Sequence, residues 1–358
     1  MWIEKIIINN FRNYKKEEIK LDKNINIFYG ENAQGKTNII EACFIASFGK
    51  SFRTNKDIEL IKFDEKNSEI EVLFKKENRD GNIKINIENK KNVFINKIKV
   101  KKLSELLGNL NTVIFTPDDI NILKQGPEYR RRFLNIMISQ LRPNYMYICS
   151  LYAKSLEERN NYLKKIKLEN AEENLLEIWD EQLIKYAKTI SEYRKEFIEK
   201  IKEKIDIIHN NISGNKERIK IEYITDCLDE NSYKELLKKR RKLDIIKGYT
   251  TKGIHRDDFN IFLNDKLVTI YGSQGQKRSC MLSLKIAELQ VINDEIHENP
   301  ILLLDDFMSE LDEKRRNNFL ENIKNTQVII TCTDKIKLNN ENVKYFLVEN
   351  GKIKNDEN

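Results

Sequence analysis

Short hydrophobic runs separated by polar turns open the chain. This pattern predicts three strands, at 6–8, 17–21 and 25–29. The next apolar stretch, 38–48, has the length of a helix and follows the third strand after a loop that contains glycine. The predicted order is therefore strand, loop and helix.

Alternation of apolar and polar residues returns between 69 and 100, where Ile70, Val72 and Phe74 are spaced two residues apart. The segment 79–81, Arg-Asp-Gly, is typical of a hairpin turn. We therefore expect an antiparallel sheet attached to the first strand-loop-helix unit.

The middle of the chain changes in character. Between 130 and 242 it has one proline and one glycine, and it combines Leu, Ile and Tyr with Glu, Lys and Arg. This composition predicts a helical lobe. The stretches 151–167 and 175–208 fit either a helical hairpin or a short coiled coil, and no heptad pattern is long enough to predict an extended arm.

Apolar runs at 301–304, 328–330 and 345–348 indicate buried strands of a mostly parallel sheet. The pattern predicts an α/β fold with a mixed sheet, an attached antiparallel sheet and an inserted α-helical lobe. We expect three parts: the N-terminal part of the head, the lobe, and the C-terminal part of the head, at 1–125, 126–249 and 250–358.

Composition limits the class of protein. The chain has 358 residues, of which 40% are hydrophobic and 34% charged, and no apolar stretch approaches the roughly 18 residues that a membrane span needs. The start of the chain lacks the apolar region of a secretory signal, so we expect a cytoplasmic protein. Five dispersed cysteines suggest neither a disulfide framework nor a zinc site. A net charge of +7 is compatible with a polyanionic partner but does not identify one.

The loop after the third strand reads GENAQGKT, a P-loop pattern in which each fixed position has a physical task. Gly30 and Gly35 allow successive N–H groups to converge on phosphates. We expect Lys36 to act in catalysis by placing its charge at the β and γ phosphates, and Thr37 to bind Mg²⁺. The residues predicted to contact ATP here are Gly30, Glu31, Asn32, Ala33, Gln34, Gly35, Lys36 and Thr37.

A P-loop needs an acidic partner at the end of a buried strand, and the run at 300–306 supplies two adjacent aspartates. We expect Asp305 to bind the Mg²⁺ ion and Asp306 to orient or deprotonate the attacking water. The alternative is an ordinary core strand that ends in a solvated Asp pair. The P-loop and the aspartate pair are far apart in sequence. This separation excludes a compact small GTPase and predicts an ATPase core that is split by an insertion.

Two further segments resemble motifs of the ABC superfamily. The sequence at 273–276, Ser-Gln-Gly-Gln, precedes a helical run and resembles the ABC signature, with Gln274 in place of the first glycine. Taken alone, it also fits a helix cap. Ser309 and Asp312 lie in a segment that resembles the D-loop. The resemblance implies that Ser273, Gln274, Gly275 and Gln276 face the γ-phosphate of a partner subunit in a head-to-tail dimer around two ATPs.

Matching segments almost from end to end resemble the RecF family of bacterial recombination-mediator ATPases, which are related to the heads of structural-maintenance-of-chromosomes proteins. The segments lie at 10–14, 30–37, 51–54, 115–119, 126–127 with 130–134, 253–258, 272–276 and 302–312. One departure is that 329–334 lacks the switch histidine of many ABC proteins, which leaves Thr331 or Thr333 as the γ-phosphate sensor.

The resemblance implies a P-loop ABC-type ATPase head. It also implies an ATP-dependent homodimer with weak, DNA-stimulated ATPase activity that binds single-stranded or gapped DNA. By the same resemblance, RecO and RecR are partners in loading RecA, with roles in DNA repair, replication and SOS induction. A nucleotide-gated DNA scaffold with little functional hydrolysis is the alternative. A membrane-transporter ATPase is a third reading, which the helical insertion, the altered signature and the absent histidine disfavour.

Each of the remaining candidate residues has a functional explanation and a simpler structural one. Arg53 and Thr54 follow the P-loop helix and are predicted to contact ATP, although a solvated loop is the alternative. For His255 we expect a structural network in preference to catalysis. The basic runs are of the kind that neutralises DNA phosphates, and solvated surface is their alternative. The residues selected from these runs are Arg130, Arg131, Lys239 and Arg240.

Overall fold

The structure is a computed structural model that describes residues 1–77, 79–227, 229–308, 319, 323, 325–336, 338 and 343–356. The α-helices of the described residues are α1 Lys36–Phe48, α2 Asn121–Lys124, α3 Pro127–Leu141, α4 Pro143–Glu169, α5 Leu176–Ser213, α6 Glu230–Lys247, α7 Val268–Tyr271 and α8 Gln274–Ile296. None of the helices in these ranges is long and apolar enough to cross a membrane.

The strands form three sheets. They are β1 Trp2–Phe11, β2 Tyr14–Lys20, β3 Ile25–Tyr29, β4 Ser68–Lys76, β5 Arg79–Ile87, β6 Lys91–Ile95, β7 Ile98–Lys99, β8 Thr112–Phe115, β9 Ile219–Ile224, β10 Asp258–Leu263, β11 Lys266–Leu267, β12 Ile301–Asp305, β13 Val328–Cys332, β14 Val343–Glu349 and β15 Lys352–Asn355.

Residue contacts divide the chain into two compact units, 1–119 with 288–358, and 120–287. The first unit thus joins two segments that are far apart in sequence. In this grouping 250–287 falls in the second unit, whereas the sequence placed it with the C-terminal part of the head. The three-part division at 125 and 249 stays a prediction.

Two sheets form the first unit. The mixed sheet has the order β15-β14-β3-β13-β12-β8, in which only β15 runs antiparallel to its neighbour. Strands β12 and β13 are buried along their whole length and β3 is buried except at Tyr29, as expected for strands covered on both faces. The antiparallel sheet has the order β2-β1-β4-β5-β6-β7. The α/β class and both predicted sheets are confirmed.

The hairpin predicted around 79–81 is present, but these residues lie in its second strand and not in its turn. The segment 79–81 belongs to β5, where Gly81 pairs with Phe74 of β4. A Cβ on Gly81 would meet the Phe74 ring at 2.2 Å, so glycine at this position makes room for an aromatic side chain. The same Arg-Asp-Gly pattern that favours a turn is therefore used within a strand.

Long helices dominate the second unit. Helices α4 and α5 pack antiparallel, because Arg159 contacts Asp180 while Ser155, four residues earlier, contacts Gln182, two residues later. The structure thus has the helical hairpin, one of the two arrangements that the sequence left open. The segment expected to be wholly helical also contains β9, which joins β10 and β11 in a small antiparallel sheet.

Candidate nucleotide-binding site

The P-loop joins β3 to α1, and its backbone excludes side chains at two positions. Gly30 has φ 148° and Gly35 has φ 115°, a region that L side chains rarely adopt. A Cβ on Gly30 would lie 2.4 Å from the carbonyl oxygen of Val348, and one on Gly35 would lie 2.5 Å from the Asn13 amide nitrogen. Both glycines are therefore required by conformation and by close packing.

The next feature of the loop is its backbone N–H groups, most of which have no hydrogen-bond acceptor among the described residues. In the described part of the chain, the N–H groups of residues 31–35 have no intramolecular acceptor, whereas Gly30 donates to the carbonyl of Thr333 at 3.2 Å. These five donors precede the N-terminus of α1, where the helix dipole also favours negative charge. The loop therefore fits an anionic ligand such as a polyphosphate.

Lys36, the first residue of α1, turns back over the loop. Its Nζ donates to the carbonyl oxygens of Gly30 at 2.7 Å and Glu31 at 2.6 Å. Burial lowers the pKa of Lys36, while the nearby carboxylates of Asp306 and Asp305 act in the opposite direction. The ammonium group is thus held against the backbone at the start of the loop.

A hydroxyl and a carboxylate meet beside the loop. Thr37 Oγ1 donates to Asp305 Oδ1 at 2.8 Å, and Thr331 Oγ1 donates to the same oxygen at 2.8 Å. Burial raises the pKa of Asp305, and these two hydrogen bonds partly offset the rise. A hydroxyl beside a carboxylate at a strand end is the oxygen donor set that suits Mg²⁺ in a P-loop site, the remaining positions being filled by phosphate oxygens and water.

The next residue, Asp306, leaves β12 with φ 48°. Its N–H group bonds to Thr331 twice, at 3.1 Å to the carbonyl oxygen and at 3.0 Å to Oγ1. Thr331 is therefore engaged with both aspartates and is 1% exposed. The sequence offered Thr331 only as a phosphate sensor, and its contacts make it a support for the acidic pair.

Two asparagine amides and a tyrosine hydroxyl, none of them expected from the sequence, form hydrogen bonds that support the P-loop backbone. Asn13 Nδ2 donates to the carbonyl of Gln34 at 2.7 Å and Asn38 Nδ2 donates to Asn13 Oδ1 at 2.8 Å. The Tyr14 hydroxyl donates to the carbonyl of Gly35 at 3.0 Å. The segment 10–14 had been noted only as a family match, and no local pattern links it to the loop.

Glu41 of α1 is fully buried and accepts hydrogen bonds from two arginines. Arg12 donates to both carboxylate oxygens, at 2.9 and 2.7 Å, and Ser51 Oγ donates at 2.5 Å. Arg53 Nη1 lies 3.4 Å from Glu41 and donates to Asn38 Oδ1 at 2.8 Å. Arg53 is thus positioned beside the first turns of α1, and its contact with ATP stays a prediction.

Thr54 has local partners. Its hydroxyl donates to Glu59 Oε2 at 2.5 Å, and its N–H group donates to Ser51 Oγ at 3.1 Å. These bonds shape the loop after α1. The predicted contact of Thr54 with ATP is not tested by them and stays a prediction.

The segment 273–276 begins α8 with a reciprocal cap. The N–H group of Ser273 donates to Gln276 Oε1 at 2.9 Å, and the N–H group of Gln276 donates to Ser273 Oγ at 3.2 Å. No atom lies within 4 Å of a Cβ built on Gly275. The segment is therefore a helix cap with open space at its glycine, which leaves its predicted role in a partner's site untested. The D-loop candidates Ser309 and Asp312 lie outside the described residues.

The DNA-contact candidates differ in their surroundings. Arg130 is buried and makes four hydrogen bonds, two to Asp258 at 2.5 and 3.0 Å and two to backbone carbonyls. Arg131 donates to the carbonyl of Asp257 at 2.8 Å. Lys239 and Arg240 are exposed on α6. The contacts of Arg130 favour a structural role over a phosphate contact.

Comparison with known proteins places this geometry in a family. Residues 2–354 match the family model for the "RecF/RecN/SMC N terminal domain". The chain is 44% identical over 368 residues to the "DNA replication and repair protein RecF" of Acetivibrio thermocellus, covering 98% of this chain and 99% of that one. The chain belongs to the RecF family. A second RecF, from Clostridium tetani, is also 44% identical, with coverages of 100% and 98%.

Solved structures agree with the RecF assignment. The chain superposes on the "recombination mediator protein RecF-ATP in RecFOR pathway" with a TM-score of 0.93 at 37% identity, covering 99% of this chain and 97% of that one. An Smc head bound to the winged-helix domain of ScpA is similar in fold, with a TM-score of 0.58 at 17% identity over 99% and 97% of the two chains. The ABC/SMC-type ATPase head and the resemblance stated from sequence are thereby confirmed.

Proposed function

We propose that the chain is an ATP-dependent DNA-binding protein of recombinational repair. It dimerises on ATP, binds single-stranded or gapped DNA, and works with RecO and RecR to load RecA, which also supports replication and SOS induction. It acts in the cytoplasm. Membership of the RecF family and the similarity to a solved RecF-ATP structure of the RecFOR pathway support this assignment.

One observation carries the nucleotide part of the proposal. The hydroxyl of Thr37 lies 2.8 Å from Asp305, beside the ammonium of Lys36 and a loop in which five N–H groups have no acceptor among the described residues. In this proposal the loop amides and Lys36 bind the phosphates of ATP, while Thr37 and Asp305 hold Mg²⁺. Arg53 and Thr54 complete the nucleotide contacts.

Hydrolysis in the proposal is slow and DNA-stimulated. ATP, when bound, supplies the phosphoanhydride bond that water cleaves. Asp306 orients or deprotonates that water, and its N–H bonds to Thr331 fix the backbone from which its side chain projects. Lys36 places positive charge where negative charge develops.

A second copy of the chain completes the site. Ser273, Gln274, Gly275 and Gln276 of one copy face the γ-phosphate held by the other, with Ser309 and Asp312 as D-loop residues beside it. The start of α8 supplies N–H groups and a helix N-terminus, and the space around Gly275 admits a close approach. ATP thus acts as a switch for dimerisation as well as a substrate.

The ATPase rate measured with gapped, single-stranded and duplex DNA tests the proposal. We expect gapped or single-stranded DNA to raise the rate, and the stimulation to fall steeply when the salt concentration is raised, because phosphate contacts release counterions. A rate that no DNA changes at low salt would count against the DNA part of the proposal.

The second candidate is a nucleotide-gated scaffold, in which ATP binding assembles the protein on DNA and hydrolysis contributes little. It is favoured by the absence of a histidine in β13 and the residues directly after it, 328–334, where many ABC proteins have a switch histidine. The substitution Asp306→Asn separates the two. Repair that survives without turnover supports the scaffold, and repair that fails although ATP still binds supports the ATPase.

A further inference from the structure

An open cavity of about 450 Å³ lies in the second unit, and none of its lining residues belongs to the P-loop. It is bounded by the end of β9, the end of α6 and the loop that follows, and its volume is within the range of small-ligand sites. The residues that line it include Ile224, Asp226, Lys247, Tyr249, Lys252 and Arg256.

Positive charge dominates this cavity, with three cations against one carboxylate. Asp226 is engaged by Lys252 at 3.0 Å. Lys247 and Arg256 are exposed, and neither makes an ion pair with any residue that the structure describes. Two cations without a carboxylate partner in one concave surface indicate an anionic ligand.

An aromatic ring lies among the cations. Tyr249 is 40% exposed, and Lys247 Nζ and Arg256 Cζ each lie over its ring, 5.9 Å from the centroid. Ile224 at the rim is 46% exposed. A ligand that carries only carboxylates makes no use of a ring face, whereas a nucleotide stacks its base on the ring and places its phosphate beside the cations.

The charge continues along α6. Arg240 and Lys247 are seven positions apart, so they lie on one face of the helix, about 10 Å apart along its axis. Both are exposed, as are Lys238, Lys239 and Lys242. Two exposed cations on one face of α6, the second of them in a cavity with an aromatic ring, fit a strand with several phosphates better than a single free nucleotide.

We propose that this cavity binds one nucleotide of single-stranded DNA. Lys247 and Arg256 move from the Tyr249 ring to the phosphates, and the base stacks on the ring face that they leave. Lys252 also lies beside the phosphates, and the neighbouring backbone follows α6 past Arg240. The assignment rests on the DNA binding proposed above and gives it a location. It does not include Arg130, whose guanidinium is already bonded to Asp258 and to backbone carbonyls.

Binding of a labelled oligothymidylate to the wild type and to variants, measured by fluorescence anisotropy, tests the site. We expect Tyr249→Ala to weaken binding about five- to hundred-fold, the loss typical of one stacked base. Tyr249→Phe keeps the ring and is expected to bind like the wild type. Tyr147→Ala, which removes another exposed tyrosine of the second unit, is the matched control and is expected to have no effect.

A second arm tests the cations. Arg256→Ala and Lys247→Ala are each expected to make the dependence of log affinity on log salt less steep by about 0.7, the value for one phosphate contact on a single strand. Lys165→Ala, an exposed cation on α4, is expected to leave the slope unchanged.

Three results would overturn the site. The first is that the wild type binds DNA and that the Tyr249→Ala and Arg256→Ala variants bind it equally well. Another is polyglutamate competing as strongly as unlabelled oligothymidylate, which would mean a simple anion site. The third, a wild type that binds no DNA, would contradict the proposed function itself and the site with it.

Discussion

The hydroxyl of Thr37 donates a 2.8 Å hydrogen bond to Asp305, a residue 268 positions further along the chain. The contact joins the first turn of α1 to the end of β12, and it exists because β3, β13 and β12 are neighbours in one parallel sheet. The carboxyl ends of these strands meet at the same edge, where ligands of open α/β sheets bind. The central site is therefore a product of sheet order.

Gly35→Ala is expected to weaken ATP binding at least about tenfold, because alanine is strained at φ 115° and its Cβ would lie 2.5 Å from the Asn13 amide. Titration with a fluorescent ATP analogue measures the loss. Gly126→Ala is the control, since Gly126 has no atom within 4 Å of its Cβ position and its φ is −66°. Equal affinities for the two variants would contradict the conformational role of Gly35.

Thr331→Val removes one of the two hydroxyl donors to Asp305. We expect a loss of about 1.5–3 kcal/mol in the free energy of unfolding at neutral pH, the range for a hydrogen bond to a charged group. The pKa of Asp305, already raised by burial, should rise further. Since protonation removes the unsatisfied charge, the loss should shrink as the pH falls below that pKa.

Urea unfolding at neutral pH and at about pH 4 measures this difference. Thr326→Val is the control, because the Thr326 hydroxyl is buried without a hydrogen-bond partner among the described residues. It should be neutral or stabilising at both pH values. A Thr331→Val protein as stable as the wild type at neutral pH would show that the hydroxyl does not support Asp305.

Glu41→Ala is expected to lower the free energy of unfolding by about 2–3 kcal/mol, because it leaves Arg12 without its bidentate partner in a mostly buried position. It should also weaken ATP binding if Arg53 contacts the nucleotide, since Glu41 and Asn38 hold that side chain. Denaturant unfolding measures the first effect. Glu65→Ala removes an exposed hydrogen bond to Asn10 and should cost less than about 0.5 kcal/mol.

His255 gives the stability a dependence on pH. Its Nδ1 accepts from Tyr152 at 2.8 Å, its Nε2 donates to the carbonyl of Thr250 at 3.1 Å, and burial lowers its pKa to about 4. The unfolded chain, with an ordinary histidine pKa of about 6.5, binds more protons between these values. Stability should therefore be full above about pH 6.5 and fall as the pH drops toward 4, by up to about 3 kcal/mol.

The slope of unfolding free energy against pH tests this account of His255. His255→Gln should flatten the slope in that window, leaving the contribution of His209, whose pKa burial also lowers. His297→Gln, which removes an exposed histidine, should not change it. An unchanged slope in His255→Gln would mean that His255 titrates normally.

The sequence predicted the parts of the site that depend on local pattern. Lys36 and Thr37 follow two glycines at fixed spacing, and Asp305 ends an apolar run of strand length. Each of these features reports a local backbone requirement. No local pattern connects Asp305 with Lys36 and Thr37. The connection came from the general requirement of P-loop sites for an acidic residue at a strand end.

The remaining parts depend on contacts that leave no local pattern. Glu41 appears in sequence as one charged residue in an apolar helix, and its partner Arg12 lies 29 positions away. Arg130 sits in a run of three arginines that resembles a phosphate-binding surface, yet it is buried against Asp258. Strand β9 is six residues long and lies between long helices. Its alternating apolar residues, Ile219 and Ile221, were therefore read as part of a helical segment.

Sedimentation velocity of the wild type and of Lys36→Met, with and without saturating ATP and Mg²⁺, tests the central claim that nucleotide bound at the P-loop controls assembly. We predict that the wild type changes from monomer to dimer on addition of ATP, and that Lys36→Met, which lacks the ammonium held over the loop, stays a monomer. A wild type that remains monomeric at saturating ATP, or a Lys36→Met protein that dimerises equally well, would contradict the account.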